Sequence, residues 1–378
     1  MKCIDIHILQ TVPPSNLNRD DTGSPKTAIY GGVQRARVSS QAWKRATRKA
    51  FDGRIKPADL GVRTKRVVEL VSEEILRQSP GVGAEGAVEL AKKVLVAAGI
   101  TLSAPKPKKK GEAPGLDESG YLLFLARHQV ERLAELAIGA AEETTIDKKQ
   151  AKAAADSSQS VDVALFGRMV ADAADLNVDA AAQVAHALSV HAVRNEFDYF
   201  TAVDDRKENE EETGAGMIGT VEFNSSTLYR YATVNIDGLR VNLGDDAATI
   251  RAAQEFVRAF VTSMPTGKQN TFANRTLPDA VVVQVRDSQP INLVGAFEEP
   301  VEVPAGGSRL REAADRLVAH AQSVDHAYGT APTRSMTVLA SPTVGTLAAL
   351  GESIALDDMI AAVGEAVADA LVASAVRA

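Results

Sequence analysis

The chain has 378 residues, a formal net charge of −7, 45% hydrophobic and 4% aromatic residues, and one cysteine. That length suits two or three compact units, or one core domain with large insertions. A lone Cys3 excludes an internal disulfide and any multi-cysteine metal site, and no apolar run approaches the ~18 residues of a membrane span.

The opening MKCIDIHILQ reads as a strand with Ile4, Ile6 and Ile8 on one face. It lacks the regions of a signal peptide, so the expected compartment is the cytoplasm. A Pro/Asn/Asp/Gly-rich stretch at 13–34 predicts an ordered loop or hairpin. Ser39 or Ser40 then caps a helix near 41–51. Helical patterns recur near 64–78, 85–98, 120–141, 161–174 and 179–195. Two polar links interrupt them, one Pro/Lys-rich (105–115) and expected to be disordered, one Lys/Ala/Ser-rich (147–160).

The texture changes after residue 196. Residues 198–203 and 217–236 are rich in Tyr, Phe, Thr and Val and flank an acidic, Gly-rich stretch, so they predict a long hairpin with a flexible tip. A helix at 246–263, a strand at 280–286, a helix at 309–325, a strand near 335–340 and a helix at 356–376 complete the order. The fold class is therefore α+β, with a helical insertion over 60–195 and a protruding hairpin over 196–225.

Overall acidity argues against a polyanion, but the charge is unevenly spread. Residues 26–66 hold twelve Lys or Arg and two Asp, a local net of about +10 that leaves about −17 for the rest. One basic stripe on an acidic body is the footprint of a phosphate binder. Within GGVQRARVSSQAWKRATR (31–48), Lys44 and Arg48 lie one helical turn apart, as do Arg45 and Lys49. Like charges at that spacing repel unless an anion lies against them. The serine cap adds hydroxyls and free N–H groups at a positive helix N-terminus. Arg35 and Arg37 alternate on the lead-in strand and so can point the same way.

Other signals are weaker. PTGKQNT (265–271) lacks the upstream glycine of a phosphate-binding loop, since Thr262 stands there. His186 and His191, five apart, do not share a helical face as zinc requires. Asp20 and Asp21 are paired carboxylates that suit a metal-dependent ribonuclease, the alternative reading. A general single-strand RNA chaperone is a third.

NLNRDD (16–21), PKTAIYGG (25–32), RVSSQAWKRATR (37–48), ALFGRM (164–169), FDYFTAVDD (197–205), GTVEFNSSTLYRYATVN (219–235) and PTGKQNTFA (265–273) together resemble the CasC-type backbone subunit of the type I-E CRISPR Cascade complex. The resemblance spans residues 1 to about 300 and is weak over 80–145 and in the last 75 residues. It implies a modified RNA-recognition-motif (RRM, ferredoxin-like) palm at 1–59 and 226–378, helical fingers at 60–195 and a thumb hairpin at 196–225. It also implies a non-catalytic subunit with no cofactor or metal. Copies stack head to tail along the guide RNA (crRNA), and each thumb kinks the guide and flips a base. Expected partners are crRNA, target DNA, copies of itself and the other Cascade subunits, with no membrane.

Site residues carry over on the same terms. Lys26, Arg37, Ser40, Gln41, Lys44, Arg45 and Arg48 fall on the palm motif that holds guide phosphates. Met169 falls on a wedge against guide bases. Tyr199, Phe200 and Thr201 fall on the thumb, where the family often has tryptophan at the position of Tyr199. Lys268 and Gln269 fall on a Gly-Lys-Gln loop near the RNA. Lys148, Lys149 and Lys152 fall on fingers that touch target DNA, and the Lys106–Lys110 cluster is a further candidate. Adjacent Tyr199 and Phe200 must face opposite sides of a strand, so only one of them is free to be a base platform.

Overall fold

The apolar alternation of the first strand is the start of a large mixed sheet. The computed structural model describes residues 1–105, 115–141, 145–156, 158–202 and 217–375. The lysine cluster at 106–110 and the acidic hairpin tip at 208–212 lie outside them. By contact density the chain divides into two units, one of Met1–Ala50, Gln183–Val234 and Ala253–Ala378, the other of Phe51–Ala182 and Asn235–Ala252.

The first unit is built on the sheet. Strand Cys3–Ser15 pairs antiparallel with Ala280–Arg286, which pairs in turn with Arg334–Leu339. On its other side lies the 19-residue strand Met217–Asn235, followed by Ala187–Ser189, Val33–Val38 and Thr27–Tyr30. Cys3–Ser15 is buried on both faces: Ile4, Ile6 and Ile8 are wholly covered, and so are Asp5 and Gln10. Buried Asp5 is matched internally, accepting from the Tyr231 hydroxyl and the Ile291 amide. The 13–34 stretch yields a tight hairpin, with Tyr30 opposite Val33 across a two-glycine turn. Gly31 and Gly32 have φ of +59° and +76°, as the favoured two-residue hairpin turn demands.

The basic helix, Ser40–Lys49, is capped by Ser39, whose hydroxyl accepts from the Ala42 amide. Trp43 and Thr47 are its buried residues. Arg230 fixes it from below, its guanidinium 3.7 Å from the centroid of Trp43 and 4.6 Å from that of Phe260. Arg230 also donates to Gln10 Oε1 at 2.6 Å and to the Phe260 carbonyl. Burial pushes the Arg230 pKa down to about 9, so it stays charged at neutral pH. Two aromatic faces and two acceptors supply the surroundings that a buried cation needs.

The second unit is largely helical. Val67–Gln78, Gly83–Ala97, Arg127–Gly139 and Lys148–Asp156 pack around a core that includes Val71, Ile75, Leu90, Val94, Leu133 and Ala151.

Four expectations are corrected here. Residues 120–141 are not one helix: Leu123–Ala126 is a strand paired with Gly61–Thr64, and the helix begins at Arg127. A short apolar run buried on both faces does not declare its period. The 161–174 pattern stops at Phe166, where Gly167 turns the backbone to φ +78°. The alanine-rich 179–195 stretch forms strands Ala182–Val184 and Ala187–Ser189. Arg37 and Val38 on one side, and Leu228 and Tyr229 on the other, recruit the latter as a ladder, overriding alanine's helix propensity. The Lys/Ala/Ser-rich stretch, in contrast, contains the helix Lys148–Asp156.

The chain's single tryptophan gives a stability test. Trp43→Ala removes the fully buried ring and leaves Arg230 uncovered, so unfolding free energy should fall by about 3–5 kcal/mol. Trp43→Phe keeps an aromatic face and should cost under about half of that. Urea denaturation followed by circular dichroism checks both; equal losses would show that the cation–aromatic stack contributes nothing.

Candidate nucleic-acid interface

The helix Ser40–Lys49 sorts its polar residues by turn geometry. With Trp43 and Thr47 inward, Ser40, Lys44 and Arg48 form one stripe at four-residue spacing, half-buried, and Gln41, Arg45 and Lys49 an adjacent, exposed one. Its first turn holds no acidic residue. Burial desolvates the Lys44 ammonium and lowers its pKa from the usual lysine value. An ammonium desolvated in this way, at a helix face bearing further cations, is stabilised by an incoming anion.

Arg35 and Arg37 do not act alike. Arg35 is fully buried and donates to the carbonyls of Tyr30, Ser189, Phe297 and Glu298. It is a structural clamp. Arg37 is half-buried and donates from Nε to the Thr27 carbonyl at 3.1 Å.

Lys26 and Arg37 are brought together, because the Arg37 amide donates to the Lys26 carbonyl at 2.9 Å. They line a small pocket with Ser15, Asn18, Asn224 and Ser226, beside Leu17, Pro25, Ala36 and Val38. Among the described residues its polar rim offers an ammonium, a guanidinium, amides and hydroxyls, and no carboxylate. His186 lies at the edge. Its Nδ1 accepts from the Ser40 amide at 3.2 Å, which needs an unprotonated Nδ1. Partial burial, then the charges of Arg37 and Lys26, hold its pKa below the usual value. Asn224, Ser226 and His186 were not among the sequence candidates; they come from two segments far from the basic motif, so only strand pairing reveals them.

Asn16, Leu17 and Asn18 join this pocket to its neighbours. Asn16 Nδ2 donates to the Glu222 carbonyl and to the Gly23 carbonyl, each at 2.9 Å. Asn18 Oδ1 accepts from the Ser39 amide at 2.8 Å, fixing the helix cap. A Cβ on Gly267 would collide with the Leu17 carbonyl, so only glycine lets the Gly-Lys-Gln loop approach so closely. The loop is also tied to the long strand, by Phe272 against Phe223 at 5.7 Å.

Lys268 itself is half-buried at φ +47°, ψ +28°, a left-handed conformation rarely given to lysine. Gln269 is exposed. Asp20 is occupied by its own turn: Oδ1 accepts from the amides of Thr22 and Ser24 and from the Thr22 hydroxyl. The Thr22 hydroxyl bond is the largest cause holding its pKa below the usual carboxylate range. Asp21 is exposed.

The hairpin strand Glu196–Ala202 pairs with Met217–Phe223 in register, Phe197 opposite Glu222, Tyr199 opposite Thr220, and Phe200 opposite Gly219. Phe200 lies over Gly219, where a Cβ would collide with its ring. Tyr199 and Thr201 take the other face, with Tyr199 63% exposed.

In the second unit, Met169 follows the buried Arg168 and is 80% exposed. It is not on a helix. Arg168 is pinned by the Leu176 carbonyl, Gln129 and Asp156, and Val170 by Asn177, so the methionine is held out between two fixed neighbours. Lys148 and Lys149 are exposed in the first turn of their helix, whereas Lys152 is ion-paired with Asp175 at 2.6 Å.

The sequence profile of the family described as "CT1975-like protein" matches residues 4–362. The chain belongs to this family. A search of curated proteins finds no match. Among solved structures, this CT1975-like protein is similar to a chain of a "CRISPR RNA-guided surveillance complex, pre-nicking". That chain is 36% identical at a TM-score of 0.82, with 96% of this chain and 100% of that one covered. A chain of a second "CRISPR RNA-guided surveillance complex" is 30% identical at a TM-score of 0.73, covering 95% and 99%. The expected kinship with Cascade backbone-type proteins is thereby met. Among the described residues, no helix is long and apolar enough to cross a membrane.

A left-handed lysine in a CT1975-like protein should cost stability. Lys268→Gly should raise unfolding free energy by about 0.5 kcal/mol, the relief of about 1–2 kcal/mol of backbone strain less glycine's entropy. Thermal denaturation checks the sign. A loss of stability would show that the lysine side chain supports the fold.

Proposed function

We propose that this chain is a non-catalytic, guide-RNA-binding backbone subunit of a type I-E CRISPR surveillance complex. The carrying observation is the pocket in which Lys26 and Arg37 meet Asn224 and Ser226 of the hairpin strand, with no carboxylate among the described residues that line it. Such donors grip phosphate and sugar and carry no sequence readout. A guide-binding subunit needs this, since base pairing supplies the specificity. Similarity to chains of RNA-guided surveillance complexes over nearly the whole length supports the same reading.

On this reading the sheet unit acts as the RRM-like palm, the 196–225 hairpin as the thumb and the helical insertion as the fingers. Ser40, Gln41, Lys44, Arg45 and Arg48 follow one stretch of guide backbone from the pocket outward, and Lys268 and Gln269 contribute from the adjoining loop. Met169 serves as the wedge. Lys148 and Lys149 face target DNA, while Lys152 must first release Asp175. Copies stack along crRNA beside the other Cascade subunits, in the cytoplasm and without a cofactor. The capture of Asp20 by its own turn favours a structural duty over ribonuclease chemistry.

Binding of single-stranded RNA should weaken with salt at a slope of about −0.7 per phosphate neutralised. Replacing Lys44 and Arg45 together with Ala should flatten the log–log slope by about 1.4. Fluorescence anisotropy over a salt series measures it, and an unchanged slope would remove both from the interface. Labelled RNA incubated with the protein and magnesium should stay intact. Cutting that disappears in Asp20→Asn would establish the ribonuclease instead.

A further inference from the structure

The pocket beside Lys26 and Arg37 holds more than charge. Ser15 ends the first strand, and Asn224 and Ser226 share one face of Met217–Asn235 by alternation. The three meet in this pocket at 4%, 6% and 6% exposure. Asn224 Nδ2 donates to Asn195 Oδ1 at 3.1 Å. Among the described residues, Ser15 Oγ, Ser226 Oγ and Asn224 Oδ1 have no hydrogen-bond partner. Leu17, Pro25, Ala36 and Val38 supply the apolar walls. Polar groups covered this deeply normally find partners. These two hydroxyls and one carbonyl are therefore set for a group that enters from outside.

Size and chemistry select that group. The cavity holds about 20 Å³, room for about one water molecule or one hydroxyl. A phosphate with its four oxygens is too large to enter. Phosphate is also the wrong partner for the interior, since it only accepts hydrogen bonds. Asn224 Oδ1 accepts too, and a serine hydroxyl both donates and accepts. The ribose 2′-hydroxyl is the sugar group of an RNA strand that donates as well as accepts, and DNA lacks it. It sits on the carbon next to the one that bears the 3′-phosphate. One nucleotide can therefore seat its hydroxyl against Ser15, Ser226 and Asn224 while its phosphate stays at the rim with Lys26 and Arg37, whose side chains only donate.

We infer that this pocket seats one ribose 2′-hydroxyl of the bound strand and so selects RNA over DNA, with Ser15, Ser226 and Asn224 as specificity-determining residues; this rests on the RNA-binding reading above. The cations hold any polyanion, and the neutral trio reads the sugar.

The test uses the full chain and single strands of one sequence carrying ribose, 2′-deoxy, 2′-fluoro or 2′-O-methyl sugars, followed by fluorescence anisotropy at fixed salt. The fluoro sugar keeps a ribose-like ring pucker but cannot donate, so it separates shape from hydrogen bonding. The ribose strand should bind about tenfold tighter than the deoxy and fluoro strands. The methyl ether cannot donate and is too large for the cavity, so it should bind no better than those. Replacing Ser15 and Ser226 together with Ala should bring RNA down to the level of DNA and leave DNA binding within about twofold. A fluoro strand that binds like ribose, or a double variant that keeps the RNA-over-DNA ratio, would overturn the sugar pocket and leave the RNA-binding reading in place. Equal losses for RNA and DNA in the double variant would do the same, marking the serines as structural. No binding of any strand by the unaltered chain at low salt would overturn both.

Discussion

The Asn16–Asn18 segment is the constraint on which the interface depends. Asn16 is fully buried, and its amide nitrogen is divided between Gly23 and Glu222, coupling the end of the first strand to the hairpin root. Two residues later Asn18 holds both the helix cap, through the Ser39 amide, and Lys26, whose amide donates to its carbonyl. Between them the Leu17 backbone admits Gly267 and nothing larger. Cap, hairpin and glycine loop lie far apart in sequence, at Ser39, Glu222 and Gly267, yet each takes its position from these three. Asparagine suits the task because one short side chain can donate and accept at fixed geometry.

The charge arrangement has a stability cost. A helix with no acid in its first turn and cations at one-turn spacing is destabilised by self-repulsion. The fold offsets this from beneath rather than at the surface. Trp43 and Arg230 anchor the inner face by packing, so the outer stripes are left to chemistry. Arg230 and Arg35 show the contrasting use of the same residue type. Both are buried and held by carbonyls, and neither is available to a ligand. Counting arginines in the basic stretch therefore overstates the interface, while Lys26, Arg37 and Lys44 retain donors facing the pocket or the helix surface.

Much of the architecture could be read from the residues, and the exceptions share a cause. The strand 280–286, the long strand near 217–236 and the capped helix after Ser39 follow from alternation or from cap chemistry, which are local. Residues 182–189 and 123–126 failed because alanine and leucine fit either period and tertiary pairing decides between them. Site residues divide the same way. Cations on the helix were visible as a pattern. Asn224, Ser226 and His186 were not, since a neutral polar residue becomes part of a pocket only when the sheet sets it beside Lys26.

The hairpin ties the two halves of the interface into one logic. On the proposed reading, a pocket of amides, hydroxyls and cations grips what every nucleotide has in common, the phosphate and sugar. On the same reading an exposed ring such as that of Tyr199 accepts any base, because stacking uses the π-face and not the hydrogen-bonding edge. Neither device reads sequence, and both lie on the hairpin strand that Glu222 and Asn16 tie to the body of the sheet. On the proposed reading, a rigid strand carrying a phosphate grip and an aromatic face imposes a fixed local path on the RNA backbone whatever its bases. Bases beyond that path remain open for pairing, which is the property an RNA-guided subunit requires.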